Sequence, residues 1–324
     1  MKKRNVIIGG LLSFALTASL VGCDSTSATN ATKDKGPKKL TNVGMTLMTL
    51  NNPYFVAMKK SLDEQAQIEG FKDTVVGADL DLSKQQAQIE DFIQKKVDLI
   101  IVNAVDSKGI AGAVQEAVQA HIPVIAVDVT ADGGSTATVM SDNFTAGKLA
   151  GEYLAKRLNG NGNVVIVNGT PISSIFDRVD GFKEALKAYP NIKIISEDQN
   201  GKLSRDESNK VMENLLTAHP KGQINAVFGV NDPTAIGAYL AAKSANRNEI
   251  FFVGVDGSQA AVDILKKDNT FGETSAQHPD QEIVKAVELG KQLMEGKKLD
   301  SKTPYLVPVD PITKDNVDKY TPWG

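Results

Sequence analysis

The chain has 324 residues, 41% of them hydrophobic, with a formal charge of −3. That charge offers no electrostatic case for nucleic acid as a partner, and the composition is that of an ordinary globular protein. One cysteine, Cys23, excludes any internal disulfide.

The chain opens on a basic start, "MKKR", followed by the apolar run "VIIGGLLSFALTASLV" and the small residues of "LVGC". The run is short for a membrane span, and the order of parts is that of a secretory signal over residues 1–22. The junction resembles a bacterial lipoprotein lipobox. The resemblance implies cleavage before Cys23 and lipid on its sulfur, which leaves no thiol for catalysis. Residues 23–39, including "DSTSATNATKDKGPKK", are too polar to bury a core and read as a tether. No other segment is long and apolar enough to span a bilayer.

From residue 40 onward, short apolar runs alternate with amphipathic ones. "DLIIVN" precedes "SKGIAGAVQEAVQAH", "IPVIAVD" follows, and "TATVMSDN" leads into "FTAGKLAGEYLAKRL". The second half repeats the alternation through "NVVIVNG", "IKIISED", "NAVFGVND", "FFVGVDG" and "GETSAQ", each followed by a helical pattern. Val- and Ile-rich runs are typical of strands covered on both faces. The predicted fold class is therefore α/β, with parallel sheets sandwiched by helices. About ten strands exceed one small domain and divide naturally into two doubly wound lobes.

Open α/β sheets bind ligands beyond the carboxyl ends of their strands. Six predicted strands end in a short amide or carboxylate: Asn51 and Asn52 after "GMTLMTL", Asn103, Asp128, Asn231 with Asp232, Asp256 and Gln277. Asn and Asp also cap helices, and Asn52-Pro53 and Asp232-Pro233 fit a cap followed by proline in the first turn. Gln277 is a poor cap, and capping alone explains six such exits badly. No cation stands among them, so the set suits a neutral ligand with many hydroxyls better than a phosphate or carboxylate. Tyr54 and Phe55 are placed either to cover the C–H face of a sugar or to pack into the lobe.

Catalytic and cofactor signals are weak. His121 and His219 read as helix-end residues, and only His278, beside Gln277, is near a candidate ligand position. No His/Cys/carboxylate group has metal-ligand spacing, and no dinucleotide loop follows the first strand. No cofactor, metal or enzyme activity is expected.

The motifs "TLNNPYF", "VNAVDS", "IPVIAVD", "SDN", "VMENLLTAHP", "VFGVND", "VGVDG" and "AQHPDQ" resemble those of the ribose-type periplasmic sugar-binding proteins, the substrate-binding subunits of ABC importers. The likeness runs from about residue 40 to 309. It implies two Rossmann-like lobes joined by three crossing segments, closing on one monosaccharide or polyol. It also implies that Asn52, Tyr54, Phe55, Asn103, Asp128, Asn231, Asp256 and Gln277 are ligand positions. The two rings would sandwich the sugar, and Asn51 would be left to cap. Crossings near 141–143, 277–279 and 307–310 give lobe 1 as 40–141 plus 279–307 and lobe 2 as 142–278 plus 308–324. The tail would pack on lobe 2 with Trp323 as a surface anchor.

Two departures stand out. Ribose binders carry arginines where this chain has Val129 and Phe176, and a second-lobe aromatic aligns with Leu203. Phe176 joins the candidate site as a new ring, Arg178 reads as a supporting residue, and ribose itself is expected to bind weakly. The resemblance further implies an ABC permease as partner, a lipid anchor at the outer face of the cytoplasmic membrane and a monomer. The alternative role is a sugar sensor docking on a chemoreceptor or sensor kinase. A repressor would begin with a helix-turn-helix, and a sugar-acting enzyme would pair an acid with a base; neither feature is present.

Overall fold

The structure is a computed structural model and describes residues 38–323. The expected signal segment, Cys23 and most of the tether lie outside the described residues. The described chain runs β1 (Asn42–Leu47), α1 (Pro53–Glu69), β2 (Lys72–Gly77), α2 (Leu82–Gln94), β3 (Leu99–Val102), α3 (Ala111–Gln119), β4 (Val124–Val127) and β5 (Ala137–Ser141). It continues α4 (Asn143–Arg157), β6 (Asn161–Asn168), α5 (Ser173–Leu186), β7 (Asn191–Asn200), α6 (Arg205–Ala218), β8 (Ala226–Gly229), α7 (Asp232–Ser244), β9 (Phe251–Asp256), α8 (Gln259–Lys267) and β10 (Phe271–Ala276). Then come α9 (Pro279–Met294), β11 (Tyr305–Val307) and β12 (Asp310–Thr313).

Two sheets result, with orders β11-β5-β4-β3-β1-β2 and β12-β10-β9-β8-β6-β7. Their pairings are parallel except β10 with β12. The central strands β3, β4, β8 and β9 are buried along their whole length, as their Val/Ile runs require. Each sheet has an apolar cluster on either face, one built on Val43, Leu99 and Val127 and the other on Ile100, Val102 and Val124 in the first sheet. The fold is the expected pair of doubly wound α/β lobes.

The chain passes between the sheets three times: from β5 into α4, from β10 into α9, and from β11 into β12. α4 packs on β9 and β10, whereas α9 returns to α1, β4 and β5. Helices α4 and α5 meet at backbone distance. A Cβ at Gly147 would strike the carbonyl oxygen of Arg178, and one at Gly181 that of Phe144. This contact fixes the start of α5 against the first crossing.

The tail departs from expectation. Val317 and Tyr320 pack with the second lobe, but Trp323 packs against the first lobe's core. Its indole ring meets Tyr54 edge-on with centroids 5.1 Å apart, and its Nε1 donates to the carbonyl of Gln277 at 2.9 Å. The tail thus spans both lobes, because the indole finds its apolar partner and its acceptor only at their junction.

Candidate functional site

A cavity of about 870 Å³ lies where the carboxyl ends of both sheets face each other. Eight of the nine candidate ligand residues line it: Asn52, Tyr54, Phe55, Asp128, Phe176, Asn231, Asp256 and Gln277. The ninth, Asn103, does not. It is fully buried, its Oδ1 accepts from the Met48 amide at 3.2 Å, and its Nδ2 donates to Asp128 Oδ2 at 2.9 Å. Asn103 orients a carboxylate and has no group left over for a ligand.

Asp128 follows β4 and Asp256 ends β9, which are equivalent positions in the two sheets. Both sit at positive φ, 65° and 137°; the first is the left-handed region that Asp tolerates, and the second lies outside it and is strained. That backbone is held by strand pairing on one side: Asp128 N bonds to Val139 O and Gln277 N to Asp256 O. Burial pushes the Asp128 carboxyl up to about 6, against the opposing pull of Arg178 and the Asn103 bond. Burial does the same to Asp256, again opposed by Arg178. Both carboxyls are mainly ionised at neutral pH and are strong acceptors for hydroxyl protons.

Asp256 is the more heavily engaged. Gln277 Nε2 donates to its Oδ1 at 2.9 Å, the Asp232 amide to its Oδ2 at 3.3 Å, and Arg178 Nη1 stands 3.7 Å away. Arg178 is itself buried; its Nε donates to Asn143 Oδ1 at 2.8 Å and its Nη1 to Val230 O at 3.0 Å. Its Nη2 has no protein partner among the described residues, and the residue lines the cavity. Gln277 Oε1 is likewise buried and unpartnered. A donor and an acceptor are therefore left open on the second-lobe side.

Two expectations about the opening motif change. Asn52, not Asn51, caps α1: its Oδ1 accepts from the Tyr54 amide at 2.9 Å, with Pro53 next in the first turn. Tyr54 and Phe55 cannot sandwich a ring between them, because their planes stand at 89° with centroids 5.6 Å apart. Both are almost fully buried members of the first-lobe core that also border the cavity. Asn231 similarly caps α7 through the Thr234 amide at 3.0 Å. In each of these amides the Nδ2 remains without a protein partner among the described residues.

Behind the site lie two carboxyls: Asp232, already marked as a strand exit, and Glu282, which sequence reasoning missed. Asp232 accepts from Thr274 Oγ1 at 2.7 Å and from Ser258 Oγ and N at 2.8 Å; burial and the charge of Asp256 push it up to about 8. Glu282 on α9 accepts from the Tyr54 hydroxyl at 2.9 Å and from Ser141 Oγ at 2.7 Å, and burial with the charge of Asp128 pushes it up to about 8. Burial holds both well above the ordinary carboxylate range. A signal for Glu282 existed: it shares the buried stripe of α9 with Ala286 and Leu289. His278 pairs with Asp310 at 2.9 Å and is outside the cavity lining. No cluster of metal-ligating groups occurs among the described residues.

The family described as periplasmic binding protein domain matches residues 43–298. The chain belongs to the periplasmic binding protein family. This periplasmic binding protein is 35% identical over 302 residues to the ribose import binding protein RbsB of Bacillus subtilis (strain 168), covering 92% of this chain and 95% of that protein. Among solved structures, it is similar to a D-allose-bound ABC transporter periplasmic solute binding protein from Actinobacillus succinogenes 130z, with TM-score 0.81 and 30% identity over 86% of this chain and all of that one. A myo-inositol-bound ABC transporter solute binding protein from Bacillus halodurans C-125 matches with TM-score 0.78 and 27% identity, covering 88% of this chain and 98% of that one. These relatives are binding proteins, not enzymes.

Proposed function

We propose that the protein is the extracytoplasmic substrate-binding lipoprotein of an ABC importer for a neutral sugar or polyol. The observation that carries this reading is the pair of carboxylates, Asp128 and Asp256, lining one cavity from equivalent strand ends of two lobes. Ionised carboxylates each accept from two neighbouring hydroxyls, while Asn52, Asn231 and Arg178 supply donors to ring or hydroxyl oxygens. The relatives that bind ribose, allose or inositol support the same ligand chemistry. Closure of the lobes about the three crossings buries the ligand, and the closed shape is what a permease reads. Lipid on Cys23 tethers a monomer to the outer face of the membrane through residues 23–39.

Ribose is not the best ligand in this reading, since Val129 and Phe176 present apolar groups where ribose binders present arginines. A thermal-shift screen tests the whole proposal. Ribose, arabinose, xylose, fucose, glucose, galactose, allose, inositol and linear polyols form the panel. A true ligand at a thousand times its Kd stabilises the native state by about 4 kcal/mol, a shift of several degrees. A flat response to every compound refutes the sugar reading, and a response to ribose above all others refutes the reading of Val129 and Phe176. Radiolabelled palmitate incorporation, lost in Cys23→Ala, tests the anchor.

A further inference from the structure

Two leucines in matching places of the two lobes belong to the cavity lining. Each lobe leaves its edge strand, β2 or β7, and reaches the next helix through two successive residues at positive φ. In the first lobe these are Asp79 (56°) and Leu80 (62°), followed by Asp81, which caps α2. In the second they are Lys202 (53°) and Leu203 (54°), followed by Ser204 ahead of α6. Left-handed backbone favours Gly and Asn, and a bulky aliphatic residue held there is an outlier that points to a function for its side chain.

Both leucines line the cavity. Leu80 is 64% exposed, and Phe176, in the first turn of α5, is 56% exposed. Large apolar groups left open inside a concave site mark contact with a ligand. Ile172 immediately precedes α5, and its carbonyl accepts from the Phe176 amide at 3.1 Å. It packs both on the first-lobe cluster that contains Val129 and on the second-lobe cluster that Leu203 also joins. The apolar lining is therefore continuous from one lobe to the other. Among its charged neighbours, Lys202 pairs with Glu207 and Asp106 accepts from the amides of Lys108 and Gly109, while Lys108 itself also belongs to the lining. The strong hydroxyl-binding groups come instead from the strand ends, at Asp128, Asp256 and Gln277.

We infer, resting on the sugar reading above, that the ligand has an unhydroxylated end and is a methyl-bearing deoxy sugar. Its hydroxyls meet the strand-end carboxylates, and its methyl group meets Leu80, Leu203, Ile172 and Phe176. A parent sugar with a hydroxyl in place of that hydrogen leaves the added group without a partner against this wall.

Isothermal titration of the full chain in detergent tests this with sugar pairs that differ by one hydroxyl: D-fucose and D-galactose, 6-deoxy-D-glucose and D-glucose, L-rhamnose and L-mannose. Ribose and xylitol serve as compounds without a methyl group. The deoxy member of at least one pair should bind about ten- to a hundred-fold more tightly than its parent, the range an apolar pocket achieves against an added hydroxyl. Leu80→Asn and Leu203→Asn keep a residue that tolerates left-handed backbone and should each reduce that ratio several-fold. Parents that bind as tightly as their deoxy partners overturn the inference, as does a ratio unmoved by both variants. Binding confined to ribose or xylitol overturns it while leaving the sugar reading intact. Binding by no compound overturns both.

Discussion

The two lobes place an amide and a carboxylate at the same strand ends and use them differently. In the first lobe Asn103 directly follows β3, and α3 starts only at Ala111, so the amide is free of capping and turns sideways to hold Asp128. In the second lobe Pro233 starts α7 at once, and Asn231 becomes its cap. Asp256 then takes its orientation from Gln277, the Asp232 amide and Arg178 instead. Helix timing after a strand decides whether an asparagine supports its neighbour or the backbone. The consequence is an open carboxylate on one side of the cavity and a networked one on the other.

The sharpest way to break this contrast is to remove each carboxylate in turn. Gly relieves positive-φ strain in both variants, more at Asp256. Asp256→Gly also leaves Gln277 Nε2 without its carboxylate acceptor and takes the ion-pair partner from buried Arg178, so it should be less stable than Asp128→Gly by about 1 kcal/mol or more. Asp128→Gly leaves Asn103 bonded to Val127 O, so its stability should stay within about 1 kcal/mol of the parent. Both should lose at least about ten-fold in sugar affinity. Equal losses of Tm in denaturation would refute the asymmetry.

Glu282 offers the next test. Its folded pKa, about 8, lies above the ordinary carboxylate value, so the native state holds its proton longer than the unfolded chain does. Stability from this group is complete below the unfolded value and is lost as pH rises toward 8. Glu282→Gln keeps an acceptor for Tyr54 and Ser141 without titrating. Its advantage over the parent should therefore widen by about 1.4 kcal/mol per pH unit between roughly pH 5 and 8 and then level off. A pH-independent difference in urea titrations would show that Glu282 is not held neutral.

Affinity should carry the signature of the site carboxylates. With Asp128 and Asp256 both near 6, protonation competes with hydroxyl binding below that pH. Kd should rise toward about ten-fold per pH unit for each carboxylate below 6, and Asp128→Asn should halve that slope. The smallest effect is expected from Trp323→Ala, about 1 kcal/mol for one ring contact and one hydrogen bond. As the single tryptophan, on the back of cavity-lining Tyr54, its emission should change on ligand binding. An unchanged spectrum in a saturating titration would separate the tail from the site.

Much of this was legible from strand exits. A Val/Ile run ending in Asn, Asp or Gln told where the cavity would be, since ligands bind beyond the carboxyl ends of such strands, though Asn103 turns aside to hold Asp128. What those exits could not tell is which polar atom each residue keeps free. Asn52 caps and Asn51 does not, because Pro53 sets the helix start. Tyr54 and Phe55 stand perpendicular, because the packing of the first-lobe core sets their side-chain torsions, which the stretch "NNPYF" does not display when read as a string. Glu282 and Trp323 reach the site from segments more than two hundred residues away from Tyr54.

The sequence by itself determined the α/β class, the two-lobe division and the polar exits, because hydrophobic periodicity and helix-start chemistry are local. Only the tertiary structure decided which carboxyls lose their water and hold a proton, and which stay ionised. It alone brought two leucines at positive φ, one from each lobe, into the lining of one cavity. Desolvation, charge proximity and cross-cleft packing depend on distances between lobes, and no local pattern of residues encodes them.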